Sequence, residues 1–265
     1  MITLLKLGGS LITDKNRAHT ARHETIRRLA EEIYAAWAPT RFPLIIGHGS
    51  GSFGHIPAKK YGTRNGVQTD EEWTGFAEVH AEATALDRIV LEILREAGLP
   101  ALAFVPMDSV RAADGNVSFW DTAAMESCVS KGLVPLIFGD TVFDSVRGGT
   151  IFSTEDLFLH LCGVLPEPPR LLLAGLEAGV WEDYPKNSVL IDTIRAGSSD
   201  TGAFIRGSEF TDVTGGMREK VRLMKELVKN GKAASAVIFS GERPGNLASV
   251  LNGESIGTRI IRDRE

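Results

Sequence analysis

The chain has 265 residues, 43% hydrophobic and 24% charged, and 29 Lys and Arg against 34 Asp and Glu give a net charge of −5. That length buries a substantial core, in one large α/β domain or two small ones. The acidic balance and the lack of a dense Lys/Arg block exclude a nucleic-acid surface, and no stretch approaches the ~18 apolar residues of a membrane span.

In chain order, the first apolar run predicts a strand at Thr3–Leu7, then a helix at His23–Trp37 and a strand at Leu44–Ile46. A long helix follows over Glu71–Ala97, then a strand at Ala101–Val105. Asp114-Gly115, between SVRAA and NVSF, reads as a hairpin turn. A helix at Thr122–Lys131 and a strand at Val134–Phe138 precede Gly148-Gly149, read as a second hairpin turn between FDSV and TIFS. Ser153 and Asp156 have capping-box spacing before the helix Glu155–Val164, and a strand is expected at Leu171–Ala174. Segment 183–212 has weak periodicity and reads as a connector between two lobes, the first ending near residue 170. The helix Met217–Asn230 places Val221, Met224, Leu227 and Val228 on one face, and strands close the chain at Ala236–Phe239 and Arg259–Ile261.

Strands alternating with helices predict a mainly parallel sheet covered on both faces, with the hairpins at a rim. In such sheets ligands collect where strand C-termini feed loops and helix N-termini. Cys128 and Cys162, each in an apolar-periodic segment, read as buried free thiols of a reducing, cytoplasmic compartment. The N-terminal MITLLKLGGS lacks the basic n-region of a signal peptide.

Three glycine loops carry the chemistry. KLGGS, Lys6 to Ser10, closes the first strand: its tandem glycines form either a tight turn or an anion nest to which Lys6 adds a charge. GHGSGSFGH, residues 47–55, follows the second strand. In it His48 reads as structural, while His55 is either a solvated loop residue or a ligand contact. TGGMREK, Thr214 to Lys220, feeds a helix N-terminus, where free N–H groups and the dipole favour phosphate; a plain turn with an exposed Lys220 is the other reading. There is no Walker A pattern, no zinc spacing and no G-x-S-x-G elbow. Phosphoryl transfer requires convergent positive charge and N–H donors, which these loops supply.

These marks, in this order along almost the whole chain, resemble the amino acid kinase superfamily. LITDK at 11–15, GHGSGSFGH followed by PAKKYG at 57–62, and IFGDTVFD at 137–144 resemble its isopentenyl phosphate kinase branch. The resemblance implies an open αβα sandwich on one continuous sheet, with residues 1–170 binding the phosphoryl acceptor and residues 171–265 binding ATP. It implies transfer from ATP to isopentenyl phosphate, giving isopentenyl diphosphate in an archaeal-type mevalonate route, in a cytoplasmic homodimer. Magnesium would arrive with ATP, with no metal site of the protein's own.

Residue by residue, Lys6, Gly8, Gly9 and Ser10 match the nest over the ATP phosphates, joined by Gly51, Gly175, Gly179, Gly215, Gly216 and Lys220. Lys15 matches a lysine near the transferred group, and Asp156 aligns with a carboxylate that orients the active-site lysines. His55 matches the histidine on the acceptor phosphate, with Ser50, Gly51, Gly54, Gly139 and Thr154 around it. Phe76, Val79 and Ala83, at i, i+3 and i+7, either wall a slot for the prenyl tail or pack as ordinary core.

Two stretches depart from the pattern. AGLEAGVW, Ala174 to Trp181, stands where the family commonly has T-D-V-D-G-V-Y, and FSTED lacks a glycine the family often has before its aspartate. A kinase of the same fold with another small phosphate or phosphonate acceptor, as in the fosfomycin-type kinases, is the competing enzyme. A non-catalytic nucleotide sensor would not need Lys6, Lys15, His55 and Lys220 together.

Overall fold

The structure, a computed structural model, describes residues 1–198 and 216–263. An eight-stranded sheet runs in the order β12-β14-β13-β9-β1-β2-β6-β3. Its strands are β1 (Thr3–Leu7), β2 (Leu44–His48), β3 (Ala101–Ala103), β6 (Val134–Phe138), β9 (Arg170–Gly175), β12 (Thr193–Arg195), β13 (Ser235–Ser240) and β14 (Thr258–Ile261). Neighbours pair in parallel except β13 with β14.

Alternation along each strand splits the core in two. Leu5, Leu44, Ile46, Leu172 and Val237 face one side, where α1 (Gly9–Ile12), α2 (His23–Trp37), α4 (Asp70–Glu96) and α9 (Asn246–Leu251) pack. Leu4, Ile45, Leu171, Leu173, Ala236 and Ile238 face the other, against α6 (Ala123–Ser130), α7 (Thr154–Val164) and α8 (Gly216–Lys229). Val221, Met224, Leu227 and Val228 of α8 are buried there, as their spacing predicts. The expected sandwich is the observed one, and Cys128 and Cys162 are buried free thiols within it. Burial pushes the Cys162 thiol up to about 12.

A rim sheet runs β5-β4-β7-β8, from β4 (Val110–Ala113), β5 (Asn116–Trp120), β7 (Asp140–Asp144) and β8 (Gly148–Phe152). Asp114 and Gly115 both take positive φ (50° and 74°), as a two-residue hairpin turn requires. The second hairpin differs from expectation. Its turn spans Ser145 to Arg147, and Gly148 and Gly149 open β8 instead. The Asp144 carboxylate closes that turn by accepting the Val146 and Arg147 N–H groups, and it also accepts those of Asp114 and Gly115.

The expected connector at 183–212 carries more structure than its composition implies. Leu190–Ile191 (β11) pairs with Val180–Trp181 (β10), and β12 joins the main sheet beyond β14. Residues 199–212 of that segment lie outside the described residues.

Candidate active site

Strands β1, β2, β6, β9 and β13 end at one edge of the sheet, and each runs into glycine or serine there: Gly8, Gly49, Gly139, Gly175 and Ser240. Convergence of loops at the C-terminal edge is where parallel sheets hold ligands. The Gly8 N–H donates to the Ala174 carbonyl at 2.8 Å, which fixes the first loop against the β9 end.

The first and second loops meet backbone to backbone. A Cβ on Gly9 would lie 2.5 Å from the Gly51 nitrogen, and one on Gly49 would lie 2.9 Å from the Gly9 nitrogen. Thr13, 1% exposed, donates its hydroxyl to the Gly9 carbonyl at 2.7 Å and accepts the Ser52 N–H at 3.0 Å. Gly51 has φ +52°, and any Cβ there would collide with the Thr13 side chain.

The stretch expected to be a nine-residue loop is mostly regular. Strand β2 extends through His48, and α3 (Gly51–Tyr61) begins after a two-residue break. Glycine and serine are poor helix formers, but Phe53 is buried and Tyr61 packs on Gly75 of α4, so tertiary contact sets the conformation. Gly54 is therefore a helical residue. A Cβ on it would come 2.8 Å from the Ser50 Cβ.

His48 is fully buried, stacked on Phe138 with ring centroids 5.7 Å apart, and its Nε2 lies 3.1 Å from the Asp87 carboxylate. It anchors the end of β2, in keeping with its expected structural role. His55 is exposed on α3 and lines an open surface concavity with Ile56, Lys59 and Lys60. Ser50 donates to the Gly139 carbonyl at 3.1 Å, tying the second loop to the β6 end. Thr154, expected to face substrate, is 1% exposed and donates its hydroxyl to the His48 carbonyl, so that proton is committed to the backbone.

Lys6 forms an ion pair with Glu155, in the first turn of α7, and both side chains are 12% exposed. Burial pushes the Glu155 carboxyl up, but the charges of Lys6 and Lys220 and the Lys6 hydrogen bond outweigh it and hold it at about 2. One carboxylate thus draws lysines from β1 and α8 to the same place. Asp156, expected in that role, is the neighbour that does not take it. Its carboxylate accepts the Ser153 N–H and hydroxyl in a capping box, and Arg64 of the 3₁₀ turn Thr63–Asn65 donates to it at 3.0 Å. Capping-box spacing singles out Asp156 in the sequence. The adjacent acid is the one whose helical position faces the sheet edge.

Lys15 is exposed on the loop between α1 and α2. That loop lies against the start of α3: the His19 N–H reaches the Ser52 carbonyl at 3.4 Å, and its ring meets Phe53 edge-on. Gly175 ends β9, with open space where a Cβ would stand, whereas Gly179 faces Thr258, whose hydroxyl a Cβ would approach to 2.6 Å. Gly179 thus packs where a side chain would not fit. In the divergent AGLEAGVW stretch, Trp181 Nε1 donates to Glu177 at 3.1 Å. Gly216 opens α8, and Lys220 is half-buried one turn later; Gly215 lies outside the described residues. Phe76, Val79 and Ala83 are buried, with Phe76 against Trp73 and Phe143. Among the described residues no group of three or more His, Cys, Asp or Glu side chains is placed to hold a metal ion.

The sequence model of the amino acid kinase family matches residues 1–240. The chain belongs to the amino acid kinase family. Among the family's curated members, the isopentenyl phosphate kinase of Methanothermobacter thermautotrophicus is 35% identical, covering 97% of this chain and 98% of its own. That of Haloferax volcanii is 34% identical, with 98% of each chain covered. A crystal structure of isopentenyl phosphate kinase superposes with a TM-score of 0.81 at 31% identity, covering 98% of this chain and all of that one. The amino acid kinase fold thus accounts for the main sheet and for the glycine loops gathered at its edge.

Proposed function

We propose that the protein transfers the γ-phosphoryl group of ATP to the phosphate of isopentenyl phosphate, giving isopentenyl diphosphate and ADP. The observation that supports the reaction class best is the Lys6–Glu155–Lys220 cluster beside the interlocked glycine loops. The acceptor rests on relatives named isopentenyl phosphate kinase, similar over nearly the whole chain.

An acceptor phosphate oxygen attacks the γ-phosphorus as the bond to the β–γ bridging oxygen breaks, and ADP leaves. The attacking oxygen already carries charge, so no general base is needed. The obstacle is repulsion between two anions. Lys6 and Lys220 offset it and stabilise charge on the equatorial oxygens, while Glu155 keeps both ammonium groups aimed at the sheet edge. The N–H groups of Gly9 and Ser10 cradle the donor phosphates, while the Gly8 N–H holds the loop against the β9 end; Lys15 approaches the transferred group from the loop beside α3. His55 donates to the acceptor phosphate from α3. Magnesium, arriving with ATP, would supply further neutralisation of the phosphate charge. Phe76, Val79 and Ala83 form the apolar wall for the prenyl tail. In this reading residues 1–170 form the acceptor lobe and residues 171–265 the nucleotide lobe, and the enzyme is a homodimer.

A coupled ADP-release assay comparing isopentenyl phosphate with other small monophosphates tests the proposal. Isopentenyl phosphate should show the highest kcat/KM; equal or lower kcat/KM than unrelated acceptors removes the acceptor assignment.

A further inference from the structure

The donor and acceptor loops leave different strands, yet in-line transfer demands that they hold one separation. Their contact is glycine on glycine, and it carries no side-chain interdigitation of its own. Besides the Gly49 N–H on the Leu7 carbonyl at 3.1 Å at their strand ends, what ties their far sides together is one buried hydroxyl. Thr13 donates Oγ1–H to the Gly9 carbonyl, which also accepts the Thr13 N–H at 2.9 Å. Two donors on one carbonyl fix the Gly9–Ser10 peptide plane, and peptide planarity then fixes the direction of the Ser10 N–H on its opposite side. The same Oγ1 accepts the Ser52 N–H, one of the N–H groups in the first turn of α3 that have no partner within the helix. His55 lies one turn further along α3, so the pose of its ring follows from the pose of that first turn.

We propose that Thr13 is a positioning residue that sets the distance between the phosphoryl-donor nest and the acceptor helix. This inference rests on the phosphoryl-transfer reading above and adds a residue to it. The hydroxyl is the operative group. Valine at this position keeps the shape but leaves both the Gly9 carbonyl and the Ser52 N–H one bond short, whereas serine keeps both bonds.

The test compares full-length Thr13→Val and Thr13→Ser with the wild type, well below all melting midpoints. Thr13→Val should lower kcat on the order of tenfold to a hundredfold, the cost of a misplacement near 1 Å, with the KM for ATP little changed. Thr13→Ser should recover most of that loss. Two results overturn the proposal: kcat of Thr13→Val close to wild type, or Thr13→Ser as impaired as Thr13→Val, which would assign the effect to methyl packing. If Thr13→Val does not fold, Thr13→Ala against Thr13→Ser makes the same comparison. Failure of the acceptor assignment looks different: the wild type then prefers another small monophosphate, and the Thr13 series is run on that one. Hydrogen exchange of the Ser52 amide gives a readout independent of turnover. It should rise on the order of tenfold in Thr13→Val and not in Thr13→Ser, and equal exchange in the two overturns the proposal.

Discussion

Lys6, at the end of β1, and Glu155, in the first turn of α7, meet as an ion pair with both side chains 12% exposed. A carboxyl that is buried and still holds at about 2 owes its charge to the surrounding lysines. Glu155→Gln should therefore lower kcat on the order of tenfold to a hundredfold, because Lys6 and Lys220 lose their common anchor. It should also change the acid limb of stability. A depressed carboxyl contributes stability above its unfolded value near 4.5, and that contribution is lost as pH falls toward 2. Urea midpoints measured across that window should converge for wild type and Glu155→Gln as pH falls. Parallel curves would mean the ion pair contributes nothing.

His55 is exposed beside Lys59, so truncating it creates no cavity in the core. His55→Ala should raise the acceptor KM about tenfold or more, the worth of a hydrogen bond to a charged group, and leave the ATP KM nearly intact. Steady-state kinetics with each substrate varied in turn decides it, and an unchanged acceptor KM removes His55 from the site.

Two glycines give opposite expectations for the same substitution. Gly51→Ala meets a φ of +52° and the Thr13 side chain, and should cost about 2 kcal/mol or more, read as a drop in Tm. Gly163→Ala, exposed in α7 with nothing within 4 Å of its Cβ, should be neutral or stabilising by up to about 1 kcal/mol. Equal Tm shifts would contradict the interlocked loops.

His80 on α4 bonds the buried Asp140 at 2.9 Å, and that hydrogen bond raises the imidazole above 6.5 against the opposing effect of burial, with Asp108 adding to the rise. A raised histidine contributes stability that is fully present below 6.5 and is lost as pH rises through the raised value. Burial also pushes the Asp140 carboxyl up, although His80 and the Thr141 and Met107 N–H groups oppose it, so its shift acts in the same direction. Tm should fall as pH rises across this range in the wild type and stay flatter in His80→Gln. A wild-type slope no steeper than that of the variant would exclude the pair.

Much of the scaffold was legible because its signals are local. Val134–Phe138 and His23–Trp37 coincide with their predicted bounds, since a fully buried strand and an amphipathic helix each declare a period. Helix α3 was not legible: four of residues 47–55 are glycine, and its conformation depends on Gly75 and Thr13, which lie far away in sequence. The site divides in the same way. The lysine and glycine loops announce themselves by composition, but choosing between Glu155 and Asp156 requires knowing which face of a helix turns toward Lys6. Thr154 shows a related ambiguity: a hydroxyl beside a site can serve either the ligand or the backbone, and this one donates to the His48 carbonyl.

Strand β1 pairs Thr3 with Leu44 on one edge and with Arg170 on the other. Strand β1 thus lies in the middle of the finished sheet, and the partner for its second edge is synthesised much later than β2. While translation is in progress, that edge presents unpaired N–H and C=O groups and apolar side chains to any chain nearby. The nascent protein should accordingly be most prone to aggregation until β9 arrives. Synonymous codons that slow the stretch between β2 and β9 should lower soluble yield more than those placed after β13.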